Sequence, residues 1–235
     1  MNYNSSGFDR ELPGYGGVIT LGQYTARTFL WMVLGLMITF GVAIFTWMTG
    51  VVYYVLQFQF VLLIATLILS VTMSVRIERM SVGTAIGMFV AFSTLFGLTM
   101  SVYLVIFALP SVILVFLMTA IYFGALALYG HFTKADLSAF RTILLSGLIF
   151  LVVAALLSML IPGFSAMDRL MCIVGIAIFL GYTAYDTQQI RNYYYYYSGY
   201  PEMMEKASIF SALQLYLDFL NLFIYLLRFL GKRRD

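Results

Sequence analysis

Long charge-free apolar runs, parted by short polar breaks, organise this chain. Residues 28–75 carry no formal charge over 48 positions, and residues 80–133 carry none over 54. A helix crosses the bilayer hydrocarbon with about 20 apolar residues, so each run predicts two spans. The first run is expected to fold back near Met48-Thr49-Gly50. The second is expected to fold back near Leu109-Pro110-Ser111, where proline closes one helix and opens the next. Residues 142–167 predict a fifth span, closed by Ile161-Pro162-Gly163, and residues 170–190 and 209–230 predict a sixth and a seventh. The runs are continuously apolar and lack the two-residue alternation of a barrel wall. The pattern predicts an all-α membrane protein, a seven-transmembrane-helix bundle over residues 23–235 behind a polar, glycine-rich segment 1–22. That segment has no apolar core and no small-residue cleavage site, which argues against a removed signal peptide.

Composition strengthens this picture. Of 235 residues, 63% are hydrophobic and 10% charged, and the mean hydropathy is +0.96. A soluble domain carries about 25% charged residues, so too little polar side chain is present to cover a water-facing surface. The basic residues form no patch with interleaved aromatics, which excludes a nucleic-acid partner. Cys172 is the only cysteine, and no Cys/His cluster has metal-ligand spacing. Lys and Arg in short loops set orientation. Arg10, Arg27, Arg76, Arg79, Lys134, Arg141, Arg191 and Lys206 fall on one side of the expected topology, and Arg169 faces them from the other. A cytoplasmic N-terminus follows. Seven spans then carry the basic tail Gly231-Lys232-Arg233-Arg234 to the opposite side, against the rule. A full seventh span is the favoured reading, with a re-entrant helix as the alternative.

Polar residues inside the last two spans carry the candidate chemistry. Ser211, Gln214, Asp218, Asn221, Tyr225 and Arg228 recur at spacings of three and four, which is one face of a helix. Tyr182, Tyr185, Asp186 and Gln189 share a face of the preceding span. An aspartate at mid-bilayer costs roughly 2.5–3.5 kcal/mol on insertion scales, so such residues are usually paired. Asp186 and Asp218 are therefore expected to meet. The plainer reading has each carboxylate wetted near an interface, merely anchoring its helix. Two carboxylates in low dielectric cannot both ionise cheaply, so a pair would share a proton and titrate as a unit. Protonated, it would hold the two helices together. Ionised, it would repel them and offer oxygens to a hard cation such as calcium, bound transiently. Tyr185, Gln189, Gln214 and Asn221 would line the polar face, with Arg76 or Arg79 as a counter-charge. No resident cofactor is expected.

The stretch Tyr185-Asp186-Thr187-Gln188, followed by Leu215-Tyr216-Leu217-Asp218-Phe219-Leu220-Asn221-Leu222-Phe223, resembles the Bax inhibitor-1 family, also called the transmembrane Bax inhibitor motif family. The loop Tyr129-Gly130-His131-Phe132-Thr133-Lys134-Ala135-Asp136-Leu137-Ser138 looks like that family's loop between helices four and five. The match covers nearly the whole chain after about residue 20, and the seventh-helix motif is its specific part. The resemblance implies a last helix at the centre, ringed by the other six. It also implies a pH-sensitive calcium leak whose paired aspartates map onto Asp186 and Asp218. Eukaryotic relatives are linked to suppression of cell death and to organelle calcium, and some bacterial relatives restrain a membrane protease. The short polar start looks like a bacterial member, which implies the inner membrane. Relatives can carry an acidic residue in the second helix, whereas residues 56–75 here have none, which leaves the role of Arg76 and Arg79 open.

Two aspartates on consecutive late helices also suit an intramembrane aspartyl protease, but Tyr216-Leu217 stands where Gly-x-Gly would precede the second acid. The chain is accordingly read as no enzyme. A regulator that binds another membrane protein, such as a membrane protease, is the stronger rival. A secondary transporter lacks its expected pair of broken helices. Tyr193 to Tyr197 read as an interfacial belt rather than a partner patch, the methionines as packing, and His131 as a surface residue rather than a pH sensor.

Overall fold

The computed structural model of the chain describes residues 19–77, 79–160 and 168–234. The polar segment expected at 1–22, with Arg10, lies almost wholly outside the described residues, as does the turn expected at Ile161-Pro162-Gly163. Helix α1, Leu21–Met48, starts from a capping box. The Thr20 hydroxyl accepts the Gln23 N–H at 3.3 Å, and the Gln23 side chain accepts the Thr20 N–H at 2.9 Å, so two orphan donors are satisfied together. It ends at Thr49 and Gly50, and Gly50 takes a φ of +75°, a left-handed conformation that glycine adopts without strain.

The second span comes in two pieces, α2 (Val52–Gln57) and α3 (Gln59–Arg76). Phe58 breaks the helix at φ −104° and ψ 14°. Val52 and Val55 of α2 pack with Val102. The apolar run gives no sign of this break, because both pieces are equally oily. Next come α4 (Val82–Ile106), capped by Ser81 on the Thr84 N–H at 3.2 Å, and α5 (Leu109–Phe132), opened by Pro110. A short 3₁₀ turn at Leu137–Phe140 leads into α6 (Arg141–Leu160). The last two helices are longer than the hydropathy predicts. α7 runs Asp168–Tyr196, through most of the tyrosine run, and α8 runs Pro201–Leu230. Pro201 and Glu202 start α8 outside the apolar stretch, where a preset φ and an acid at the dipole's positive end are favourable. Among the described residues, seven helices are long and apolar enough to cross a membrane.

α8 is the hub of this bundle. In its most apolar window 67% of residues are buried, against 11% in α3. It packs on α7, α1, α5 and α4, while α3 rests on α4 and α6 on α7. α3 and α6 accordingly show lipid-facing side chains, among them Leu63, Leu67, Val71, Ile143, Ile149 and Val153. Helices come close where side chains are small, as membrane packing requires. A Cβ on Gly97 of α4 would lie 2.7 Å from the Thr39 carbonyl of α1, and one on Gly130 of α5 would lie 2.3 Å from the Ala184 carbonyl of α7.

Both ends of the bundle are tied. Arg27 of α1 pairs with Glu205 of α8 at the end where both helices begin. At the other end the tail folds back over the α4–α5 turn. The Ala108 N–H donates to Lys232 O at 3.0 Å, and the Arg234 N–H donates to Ile106 O at 2.9 Å. α8 therefore runs from one end of the bundle to the other without re-entering, and its basic tail sits opposite the start of α1.

Candidate functional site

The site forms where α7 and α8 lie against each other. Asp186 is 6% exposed and Asp218 is 4% exposed. Their carboxyl groups lie close enough to act on one another electrostatically. Ionised carboxylates only accept hydrogen bonds, so two carboxyls can bond each other only while one of them holds a proton. The neighbouring hydroxyls are already committed. Thr183 donates to Phe179 O at 2.8 Å and Thr187 to Thr183 O at 2.7 Å, each within its own helix. Asp218 Oδ2 is buried with no hydrogen-bond partner among the described residues. The three ion pairs among the described residues are Arg27–Glu205, Lys206–Glu202 and Arg228–Asp168, so neither carboxyl of the buried pair is neutralised by a basic side chain.

The orientation of Asp218 is set by its neighbour two positions back. Tyr216 is fully buried, and its hydroxyl bonds Thr39 of α1 at 2.5 Å, while Thr39 donates to the Ser93 carbonyl of α4 at 3.0 Å. Phe89, Phe92 and Phe96 surround its ring at centroid distances of 5.9, 5.9 and 6.2 Å. Residues two apart on a helix point to nearly opposite sides. Locking Tyr216 toward α1 and α4 thereby turns Asp218 toward α7.

A second anchor lies two residues beyond Asp186. Gln188 is buried at 4% exposure. Its amide donates to Ala135 O at 2.8 Å and accepts the Leu137 N–H at 3.0 Å, fixing the α5–α6 loop to α7. In that loop Asp136 caps the 3₁₀ turn by accepting the Ser138 N–H at 2.9 Å, which holds its carboxyl below the usual carboxylate range.

Of the other residues singled out in the sequence, Tyr185 is half-buried, and Gln189 accepts from Asn192 at 3.0 Å. Asn221 donates to Leu217 O at 2.8 Å, and Gln214 is half-buried. Arg76 and Arg79 are exposed at the end of α3 and make no side-chain hydrogen bond or ion pair among the described residues. Arg141 lies within electrostatic reach of Tyr182, Tyr185 and Tyr193 along α7. The sequence reading gives Arg141 a role in orientation alone, and Tyr216 and Gln188 none beyond their motifs. The first is the only basic residue at the mouth of α6, and the other two sit inside the motifs already quoted. His131 is half-buried in the last turn of α5, its ring edge-on to Phe132. Among the described residues no three His, Cys, Asp or Glu side chains gather into a metal-ion group. Calcium takes six to eight oxygens, and two carboxyls do not supply a resident site.

Comparison with known proteins bears on the whole chain. The family model described as inhibitor of apoptosis-promoting Bax1 matches residues 21–235. The chain is 37% identical over 219 residues to the inner membrane protein YbhL of Escherichia coli K12, covering 91% of this chain and 93% of that one. It is 39% identical over 214 residues to an uncharacterized protein of Deinococcus radiodurans, with 90% and 91% covered. It is 35% identical over 219 residues to an uncharacterized protein of Rickettsia prowazekii, with 92% of each covered. A helical membrane bundle with this last-helix motif, matched end to end by bacterial relatives, belongs to the Bax inhibitor-1 family.

Proposed function

We propose that this protein is a pH-sensitive leak for calcium or a similar hard cation, gated by the Asp186–Asp218 pair. One observation carries the reading: two buried carboxyls act on each other between α7 and α8, with no ion-pair partner among the described residues. While the pair holds its proton, α7 and α8 are latched. When the proton leaves, two like charges face each other in a low-dielectric seam, the helices are driven apart, and four carboxylate oxygens become available to a passing cation. Calcium is cargo in this scheme and not a resident cofactor. The lysine and arginine distribution supports a cytoplasmic start of α1, and the likeness to an inner membrane protein of Escherichia coli supports a bacterial inner membrane. No enzymatic role is proposed.

Calcium flux into liposomes across a pH series tests this scheme, with wild type set against Asp186→Asn and Asp218→Asn. The reading expects a pH-dependent flux whose dependence flattens in both variants. Identical pH profiles in all three proteins would remove it. A second reading is favoured by one surface feature. Tyr195, Tyr196 and Tyr200 are 63%, 76% and 66% exposed around the α7–α8 turn, a patch suited to docking another membrane protein. Under that reading the protein regulates a partner and transports nothing, and both Asn variants keep full regulatory function.

A further inference from the structure

We propose that the C-terminal end of the bundle carries a binding site for the headgroup of an anionic phospholipid, built by the basic tail and the α1–α2 turn. A cavity of about 620 Å³ opens there between Trp47, Met48, Val52, Tyr53, Val105 and Arg234. Its walls combine two aromatic rings, an apolar floor and one guanidinium. The Arg234 guanidinium stands over the Trp47 ring, 5.4 Å from its centre, a geometry that holds the cation in place. The tail beneath it is not loose. Lys232 O and Ile106 O accept backbone N–H groups across the seam, and the Lys232 N–H donates to the Ser111 hydroxyl at 2.9 Å. Backbone bonds thus seat the strap and leave the side chains of Lys232, Arg233 and Arg234 exposed. The ion pairs among the described residues involve none of the three.

Depth identifies the occupant. α1 has 28 residues, which at 1.5 Å per residue is about 42 Å, longer than the hydrocarbon thickness of about 30 Å. Its Met48 end therefore reaches the headgroup layer. Met48 and Tyr53 are 74% and 67% exposed and face lipid at that level. Three cations beside an aromatic-lined cavity at phosphate depth complement a phosphodiester with acyl chains, as in phosphatidylglycerol. The site also accounts for a tail that breaks the charge rule, since each arginine or lysine there meets a compensating lipid anion.

Trp47 is a built-in reporter. In a Trp31→Phe background it is the only tryptophan, and lipids with brominated acyl chains quench it on contact. The full chain is reconstituted in phosphatidylcholine vesicles, with brominated phosphatidylglycerol or brominated phosphatidylcholine at one mole fraction. A single basic residue at an anionic surface is worth about a fivefold change in local partitioning. We therefore expect local enrichment of the anionic lipid by about fivefold or more, seen as stronger quenching. Lys232→Gln/Arg233→Gln/Arg234→Gln, which keeps every backbone bond of the strap, is expected to abolish the preference, and Arg234→Gln alone to weaken it. Equal quenching by the two lipids overturns the proposal, and so does a preference that survives in the triple variant. Loss of the preference on adding millimolar inorganic phosphate shows a site for the free anion, and overturns the lipid assignment. Calcium flux is not read in any arm, so the outcome is independent of the leak.

Discussion

Replacing Asp218 by Asn tests the latch through stability alone, without any assumption about transport. Asn has the shape of Asp, and its amide donates to the Asp186 carboxylate whether or not a proton is present. In the wild type the two buried carboxyls act on each other directly, and with both ionised, like charges about 4 Å apart cost about 4 kcal/mol for an effective dielectric of 20. The sign follows from proton binding. Under the proposed latch the native pair holds a proton that the separated helices release, so wild-type stability is expected to be greatest at low pH and to fall as pH rises past the pair's deprotonation. The Asn variant lacks this loss. For soluble domains of 150–250 residues, 1 kcal/mol moves a melting midpoint by about 2–4 °C, which makes the expected wild-type drop on the order of 10 °C. The assay is thermal unfolding in detergent, followed by helical circular dichroism, at steps from acid to alkaline pH. A flat wild-type profile, or an Asn variant that falls in parallel with it, would refute the shared proton.

Three further substitutions probe what positions the pair. Gly130→Ala sets a methyl 2.3 Å from the Ala184 carbonyl and is expected to destabilise by about 1–3 kcal/mol, the range for overpacking, read as a lower melting midpoint. Tyr216→Phe removes one buried hydrogen bond and should cost about 1 kcal/mol while leaving the pH profile of stability in place; a changed profile would show that Tyr216 acts on the pair directly. Gln188→Leu, which fills similar volume without the amide, should free the α5–α6 loop, seen as faster amide hydrogen exchange at Leu137 with exchange in α8 unchanged.

The membrane class, the helical content, the seven crossings and the folds at Gly50 and Pro110 are all legible in the chain itself. They depend on local quantities: the length of an apolar run against the thickness of a bilayer, and the backbone freedom of particular residues. The expense of a carboxylate in hydrocarbon likewise marks Asp186 and Asp218 before any coordinates. The sequence does not carry the break at Phe58, since an interrupted oily helix reads like a continuous one. It leaves the tail unassigned, because the backbone bonds that hold Lys232 and Arg234 to the α4–α5 turn span more than a hundred residues of chain. It offers Arg76 or Arg79 as a counter-charge and leaves their role open, while the folded chain brings Arg141 within electrostatic range of Tyr182, Tyr185 and Tyr193 on α7. Which face of α8 meets which helix depends on Tyr216 reaching Thr39 and Ser93, a contact among three separate helices. Periodicity puts residues on a common face, but only packing decides what that face touches, and the pairing of two buried acids is a property of the touch.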